Sequence, residues 1–112
     1  SSFITPLIAG NPDKPEFSNE LHNSFCHMNP KIAKHFAKVT FLGDNRIDLN
    51  RLSTPTLVIQ CHPDVIAPVK VGEFVCENLI NGTYIQLDAS GHCPHLTAPE
   101  QTIKAIKDYL DI

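Results

Sequence analysis

The stretch Asp88-Ala89-Ser90-Gly91-His92-Cys93-Pro94-His95-Leu96 gives the strongest indication of the fold and of a functional site. It follows a predicted strand, Thr83–Leu87, that is rich in β-forming residues. It leads into a predicted helix, Ala98–Leu110, whose start, Thr97-Ala98-Pro99-Glu100, has the capping-box pattern. A histidine between a strand end and a helix start lies at the rim of a parallel sheet, where open α/β folds bind ligands. His92 is therefore a candidate general base, although Gly-His pairs also occur in ordinary solvated turns.

The composition restricts the class of protein. With 112 residues, 42% hydrophobic and 19% charged, the chain can form one small globular core. A net charge of -3 argues against a nucleic-acid partner. No apolar run approaches the ~20 residues of a membrane span, and the apolar start lacks the basic stretch of a signal peptide. We therefore expect a cytoplasmic protein that binds neither nucleic acid nor membrane.

The four cysteines could be free thiols, could form disulfides, or could bind a metal together with histidines. Four cysteines could form two disulfides, but nothing indicates secretion, and a reducing environment favours thiols. Two clusters could hold a metal: His22, Cys26 and His27, and His92, Cys93 and His95. Neither cluster has the CxxC-type spacing of a zinc site. The sequence therefore predicts free cysteines, with no metal and no cofactor.

The second half of the chain alternates between strand and helix patterns. The run Thr56–Cys61 is typical of a strand buried on both faces, as in a parallel sheet. A helix is predicted from Pro68 to Asn81-Gly82, before the strand Thr83–Leu87. The order β-α-β-α predicts parallel strands joined by right-handed crossovers. The residues expected on the buried faces of the two helices are Val71, Val75 and Leu79, and Ile103, Ile106 and Leu110.

The first 42 residues have helix patterns without a strand between them. Residues 1–9 read as the end of an apolar helix that stops at Gly10, and the next helix runs from Pro15 to His27. Asn29-Pro30 caps a further helix that ends near Leu42, before Gly43, with Ile32, Phe36 and Val39 on one face. These helices cannot close a core of their own, so they must pack on the rest of the chain or on something absent from it. Residues 44–53 read as a linker with a helical turn at 47–52.

Asp64 and His92 each follow a predicted strand. Parallel neighbouring strands bring both loops to the same edge of the sheet. An aspartate that accepts from the imidazole Nδ1–H fixes the ring tautomer and stabilises the imidazolium. The order Asp then His is that of the last two members of an α/β-hydrolase triad. Alone, Asp64 would read as an Asx-turn residue after Pro63.

Two segments carry a family resemblance. Asp64-Val65-Ile66-Ala67-Pro68 and Ser90–Pro99 resemble the triad-Asp and triad-His segments of α/β-hydrolases. Within that family they are similar to the group that contains the bacterial stress-response regulator RsbQ and the plant karrikin and strigolactone receptors. The resemblance extends over nearly the whole chain, including residues 11–16, 25–26, 32–33 and 35–38.

The resemblance implies a role for particular residues. Asp64 would be the triad acid and His92 the general base. Residues 1–42 would form part of a helical lid and residues 43–112 the C-terminal part of the hydrolase core. Phe41, Val65 and Ile66 would line an apolar pocket. The implied activity is hydrolysis of a small apolar ester or lactone, in stress signalling with a partner phosphatase; the alternative is a ligand-binding receptor with little turnover.

The chain departs from the family in one respect. Its five glycines, at positions 10, 43, 72, 82 and 91, never form the Gly-x-Ser-x-Gly elbow that holds the nucleophile. Neither Ser90 nor Cys93, beside the base, has such an elbow. We therefore expect a C-terminal portion of a hydrolase, without the N-terminal half of the fold and inactive alone. Its exposed sheet edge should bind the missing half or a second copy.

Overall fold

The computed structural model describes Thr5, Ile8, Gly10 and residues 15–112. Within these residues the chain folds as a two-stranded parallel sheet with helices packed on it. The elements, in chain order, are α1 (Pro15–His27), α2 (Pro30–Leu42), α3 (Arg46–Leu49), β1 (Thr56–His62), α4 (Val69–Asn78), β2 (Gly82–Asp88), α5 (Pro94–Thr97) and α6 (Pro99–Leu110). No helix in this part of the chain is long and apolar enough to cross a bilayer.

The two strands pair in parallel from end to end. Thr56 lies opposite Gly82, and His62 lies opposite Asp88. The helix between them, α4, packs on both strands, and so does α6. The predicted α/β class with parallel strands is therefore confirmed. Because the strands end at the same edge of the sheet, the loops that follow β1 and β2 are neighbours.

The core is small and lies between the strands and their helices. Its apolar members are Cys61, Leu79, Leu87, Ala98 and Ala105. The buried face predicted for α6 is wrong: Ile103, Ile106 and Leu110 are 53%, 40% and 55% exposed. The helix instead buries Thr102 and Ala105. These short side chains allow the helix to approach the rest of the fold closely, and no described residue covers the isoleucine face.

The face predicted for α4 is correct only towards its end. Leu79, just after the helix, is 8% exposed, whereas Val71 is 48% exposed. The one buried residue within α4 is Gly72. A glycine has no apolar side chain, so its burial could not be predicted from the apolar periodicity.

The predicted bounds of α1 and α2 agree with the structure. The Asn29 side chain accepts hydrogen bonds from the amides of Lys31 (3.0 Å) and Ile32 (3.4 Å), which confirms the predicted cap of α2. Neither helix contains a buried residue. On α2, Ile32, Phe36 and Val39 are 64%, 67% and 60% exposed, so the apolar face is not covered by the described chain.

The stretch before α6 differs from the prediction. Pro94–Thr97 forms a separate single-turn helix, α5, that the sequence did not indicate. The predicted capping box is wrong, since Ala98 is the N-cap of α6 and makes no side-chain cap bond. The Thr97 hydroxyl donates instead to the carbonyl of Cys93 at 3.2 Å. The predicted turn at 47–52 is formed slightly earlier, as α3.

The predicted helix end at residues 1–9 lies mostly outside the described residues. Residues 11–14 also lie outside them. Ile8 and Gly10 are described, and both contact the loop that carries His92. Whether residues 1–42 form a lid stays a prediction.

Candidate active site

The structure brings Asp64 and His92 together, although they lie 28 residues apart. The Nδ1 atom of His92 is 2.8 Å from Oδ2 of Asp64. The Asp64 side chain is 4% exposed and that of His92 is 43% exposed. No described residue is hydrogen-bonded to the other ring nitrogen, Nε2. A carboxylate behind the ring and a reachable second nitrogen in front of it suit a general base.

The Asp64 carboxylate is held through both of its oxygens. While Oδ2 meets His92, Oδ1 accepts from the amides of Ile66 (2.8 Å) and Ala67 (3.0 Å). The Asx-type turn and the contact with the histidine therefore coexist, because one oxygen accepts from the turn amides and the other meets His92. Burial raises the pKa of Asp64, but the hydrogen bonds from His92, Ala67 and Ile66 outweigh it and lower the pKa below its ordinary value. The group is thus a carboxylate at neutral pH.

The backbone of the His92 loop is held from two sides. Gly91 has a φ of +105°, which favours glycine, and its amide donates to the carbonyl of Pro63 at 3.0 Å. On the other side, the His92 amide donates to the carbonyl of Ile8 at 2.9 Å. The Ser90 hydroxyl donates to the carbonyl of Gly10. Two backbone segments thus fix the position from which the imidazole extends.

Gly10 contacts this loop more closely than a side chain would allow. A Cβ at Gly10 would lie 2.3 Å from the Cα of Gly91. The φ of Gly10 is +63°, in the left-handed region. The sequence marked Gly10 only as a helix stop, because its contact with Gly91 joins residues about eighty positions apart.

A small cavity of about 130 Å³ lies beside the Asp64–His92 pair. Its lining includes Gln60, Cys61 and Gly72 in addition to the pair. Burial, followed by the negative charge of Asp64, raises the pKa of both Cys61 and Cys93. These thiols are therefore protonated at neutral pH and are poor nucleophiles.

The three predicted pocket residues lie in two places. Phe41 is 84% exposed and lines an apolar groove of about 500 Å³ with Phe25, Met28 and Phe36 of the α1–α2 region. Val65 and Ile66, 69% and 45% exposed, follow Asp64 in the loop after β1. The groove lining includes neither Asp64 nor His92. A pocket that unites these residues stays a prediction.

The described residues hold no cluster of three metal-ligating side chains. Both candidate metal clusters of the sequence lie within this part of the chain. All four cysteines carry thiols, as predicted.

The chain is similar to several known proteins. No protein-family model matches the chain. It is 33% identical over 110 residues to the Karrikin insensitive 2 receptor CA of Petunia hybrida, an alignment that covers 95% of this chain and 39% of that protein. It is 32% identical over 105 residues to the strigolactone esterase D14 of Arabidopsis thaliana, covering 93% and 39%. A solved hydrolase from Oleispira antarctica matches with a TM-score of 0.91 and 35% identity, covering 97% of this chain and 40% of that one.

The alignments extend over nearly all of this chain but only part of each relative. The chain spans about two-fifths of the length of the relatives it matches. A TM-score of 0.91 over 97% of the chain means that its helices and strands are arranged as in the corresponding part of that hydrolase.

Proposed function

We propose that this chain, which has the C-terminal part of the α/β-hydrolase fold, supplies the base and the acid of a Ser-His-Asp triad. The observation that carries the proposal is the 2.8 Å contact between His92 Nδ1 and Asp64 Oδ2. With its Nδ1–H donated to Asp64, the ring presents Nε2 as the proton acceptor. In the reaction, His92 takes the proton of a serine hydroxyl and later passes it to the leaving group, while Asp64 stabilises the imidazolium.

The nucleophile is proposed to come from sequence outside these 112 residues. The chain has no Gly-x-Ser-x-Gly elbow, and the hydroxyl of Ser90 is donated to the carbonyl of Gly10. The relatives are about two and a half times as long as the stretch that this chain covers. The amide after the nucleophile is one of the oxyanion donors and would come from the same sequence. The chain alone is therefore expected to be inactive.

The proposed substrate is a small apolar ester or lactone. The names of three relatives support an ester or lactone: a strigolactone esterase, a pimeloyl-[acyl-carrier protein] methyl ester esterase and a 3-oxoadipate enol-lactonase. The apolar groove beside Phe41 supports an apolar group on it. The resemblance to RsbQ extends the proposal to stress signalling with a partner phosphatase.

A receptor with little turnover is the second candidate. The 33% identity to a karrikin receptor favours it. The two candidates differ in kinetics: an esterase turns over a generic ester repeatedly, whereas a receptor gives one burst of product and stops. Both use the same Asp64–His92 pair.

The unpaired edges of the sheet support a proposed association of this chain with another polypeptide. In the described part of the chain each strand has one neighbour, so each also has an unpaired edge. Such an edge pairs readily with another strand. We expect the chain to bind the rest of the hydrolase or a second copy of itself. Denaturing mass spectrometry and sedimentation of the purified protein measure both, and a stable 12.4 kDa monomer would contradict the expectation.

Hydrolysis of p-nitrophenyl acetate tests the activity. In the full-length hydrolase, His92→Ala should abolish turnover, with a loss of roughly 10⁴-fold or more in kcat. His95→Ala is the matched control, since His95 is exposed and lies three residues further on, and it should leave turnover unchanged. Unchanged turnover in His92→Ala would refute the assignment. Turnover by the 112-residue chain alone, dependent on His92, would refute a nucleophile from elsewhere.

A further inference from the structure

Gln60 is a buried polar residue in the mostly apolar strand β1. It is 7% exposed, and its Nε2 donates to the carbonyl of Ala67 at 2.5 Å. Ala67 lies in the loop between β1 and α4. A buried amide without a partner would cost free energy, so this bond fixes the side chain and the loop together.

The same loop residue also holds the carboxylate. While the carbonyl of Ala67 accepts from Gln60, the amide of Ala67 donates to Oδ1 of Asp64 at 3.0 Å. The two peptide units that meet at Ala67 thus connect the Gln60 side chain to the Asp64 carboxylate. The other carboxylate oxygen meets His92.

The Gln60 side-chain amide occupies space that a side chain at Gly72 of α4 would fill. A Cβ at Gly72 would lie 1.9 Å from Oε1 of Gln60 and 2.8 Å from the ring of Tyr84. Gly72 is buried, and both Gly72 and Gln60 line the cavity beside the Asp64–His92 pair. The amide is therefore confined between a helix that has no side chain there and the loop that it supports.

We propose that Gln60 is a positioning residue, which fixes the loop at Ala67 and so holds the Asp64 carboxylate in the orientation that accepts from His92. This role rests on the proposed triad function, because it matters for catalysis only if His92 is the base. Partners that orient the ligands of metal sites are worth roughly 10- to 100-fold in activity, and we expect an effect of that order for Gln60. The sequence does not indicate this role of Gln60, because an Asx-type turn at Asp64 accounts for the loop without it.

The test measures the Asp64–His92 pair itself by NMR and needs no substrate. In Gln60→Met the side chain keeps its length and loses its donor. The titration of the Asp64 carboxyl carbon by NMR should then show a midpoint that moves up towards the ordinary carboxyl range, because the amide of Ala67 is no longer held against Oδ1. The resonance of the His92 Nδ1 proton should weaken at the same time. In the full-length hydrolase, kcat should fall about 10-fold or more with KM unchanged.

Gln86→Met is the matched control. Gln86 is the register partner of Gln60 on β2 and is exposed, so the Asp64 midpoint should not move. Gly72→Ala is a second route to the same effect, since its Cβ displaces the amide without removing it. A folded Gln60→Met protein with the wild-type Asp64 midpoint would overturn the proposal. If Gln60→Met does not fold, the midpoint in Gly72→Ala decides.

The two proposals fail in different ways. If the full-length protein hydrolyses no ester while the Asp64 midpoint moves as expected, the triad function fails and the hold of Gln60 on the carboxylate stands. If turnover depends on His92 but Gln60→Met changes neither midpoint nor kcat, only the role of Gln60 fails.

Discussion

The helical pair (α1 with α2) and the strand–helix unit (β1, α4, β2 and α6) bury their apolar residues to very different extents. The helical pair has none buried, and Ile32 and Phe36 are 64% and 67% exposed. The strand–helix unit contains Leu87, at 6%, and Cys61, at 2%. A helix forms its backbone hydrogen bonds within itself, so local sequence can mark its bounds. A core needs surfaces from several elements, and only the strand–helix unit provides them within the described chain.

The largest difference between the two regions is expected in the cost of deleting apolar side chains. Leu87→Ala should lower the free energy of unfolding by about 2–5 kcal/mol, because it leaves a cavity between buried elements. Ile32→Ala should change it by less than about 0.5 kcal/mol, since Ile32 already faces solvent. Urea unfolding of the 112-residue chain measures both. A cost above about 2 kcal/mol for Ile32→Ala would mean that the helical pair is covered in solution.

A smaller loss of stability is expected from changes at the contact between Gly10, which precedes the helical pair, and the strand–helix unit. Gly10→Ala combines a φ of +63° with a Cβ 2.3 Å from Gly91, and should cost about 1–3 kcal/mol. Its local signature is faster hydrogen exchange of the His92 amide, which donates to Ile8. Ser90→Ala, which removes only the hydroxyl bond to Gly10, should have a weaker effect. Unchanged exchange in Gly10→Ala would show that the two segments are not docked.

The smallest loss of stability is expected from a change within the helical pair itself. Asn29→Ala removes the side-chain cap of α2 and should cost about 1 kcal/mol. Asn45 is the matched control, because it stands at the N-cap of α3 and makes no cap bond. Asn45→Ala should therefore change stability by only a few tenths of a kcal/mol. Equal effects in thermal unfolding would show that the cap of α2 adds nothing to a helix with no buried face.

Features that depend on short-range interactions could be predicted from the sequence. The bounds of α1 and α2 and the cap at Asn29 depend on bonds between residues at most four apart. The parallel order of the strands follows from the β-α-β-α pattern. The prediction that Asp64 and His92 meet follows from it, because parallel strands end at the same edge.

Other features were decided only by contacts between distant residues. Apolar periodicity marks a stripe on α6 but does not say which side meets the sheet, and Thr102 and Ala105 face inward. Gly10 contacts Gly91, and nothing in the local sequence around either glycine indicates the other as its partner. The polar strand residue Gln60 looked ordinary until the loop at Ala67 was placed against it.

The sequence by itself determined the bounds of α1 and α2, the parallel strands and the two residues of the candidate site, because each follows from a local pattern of residues. Only the tertiary structure decided how that site is held. The bond between His92 and Asp64 spans 28 residues, and the bond that the His92 amide donates to the Ile8 carbonyl spans more than eighty. Contacts of that range depend on how the elements pack, and packing is a property of the whole fold.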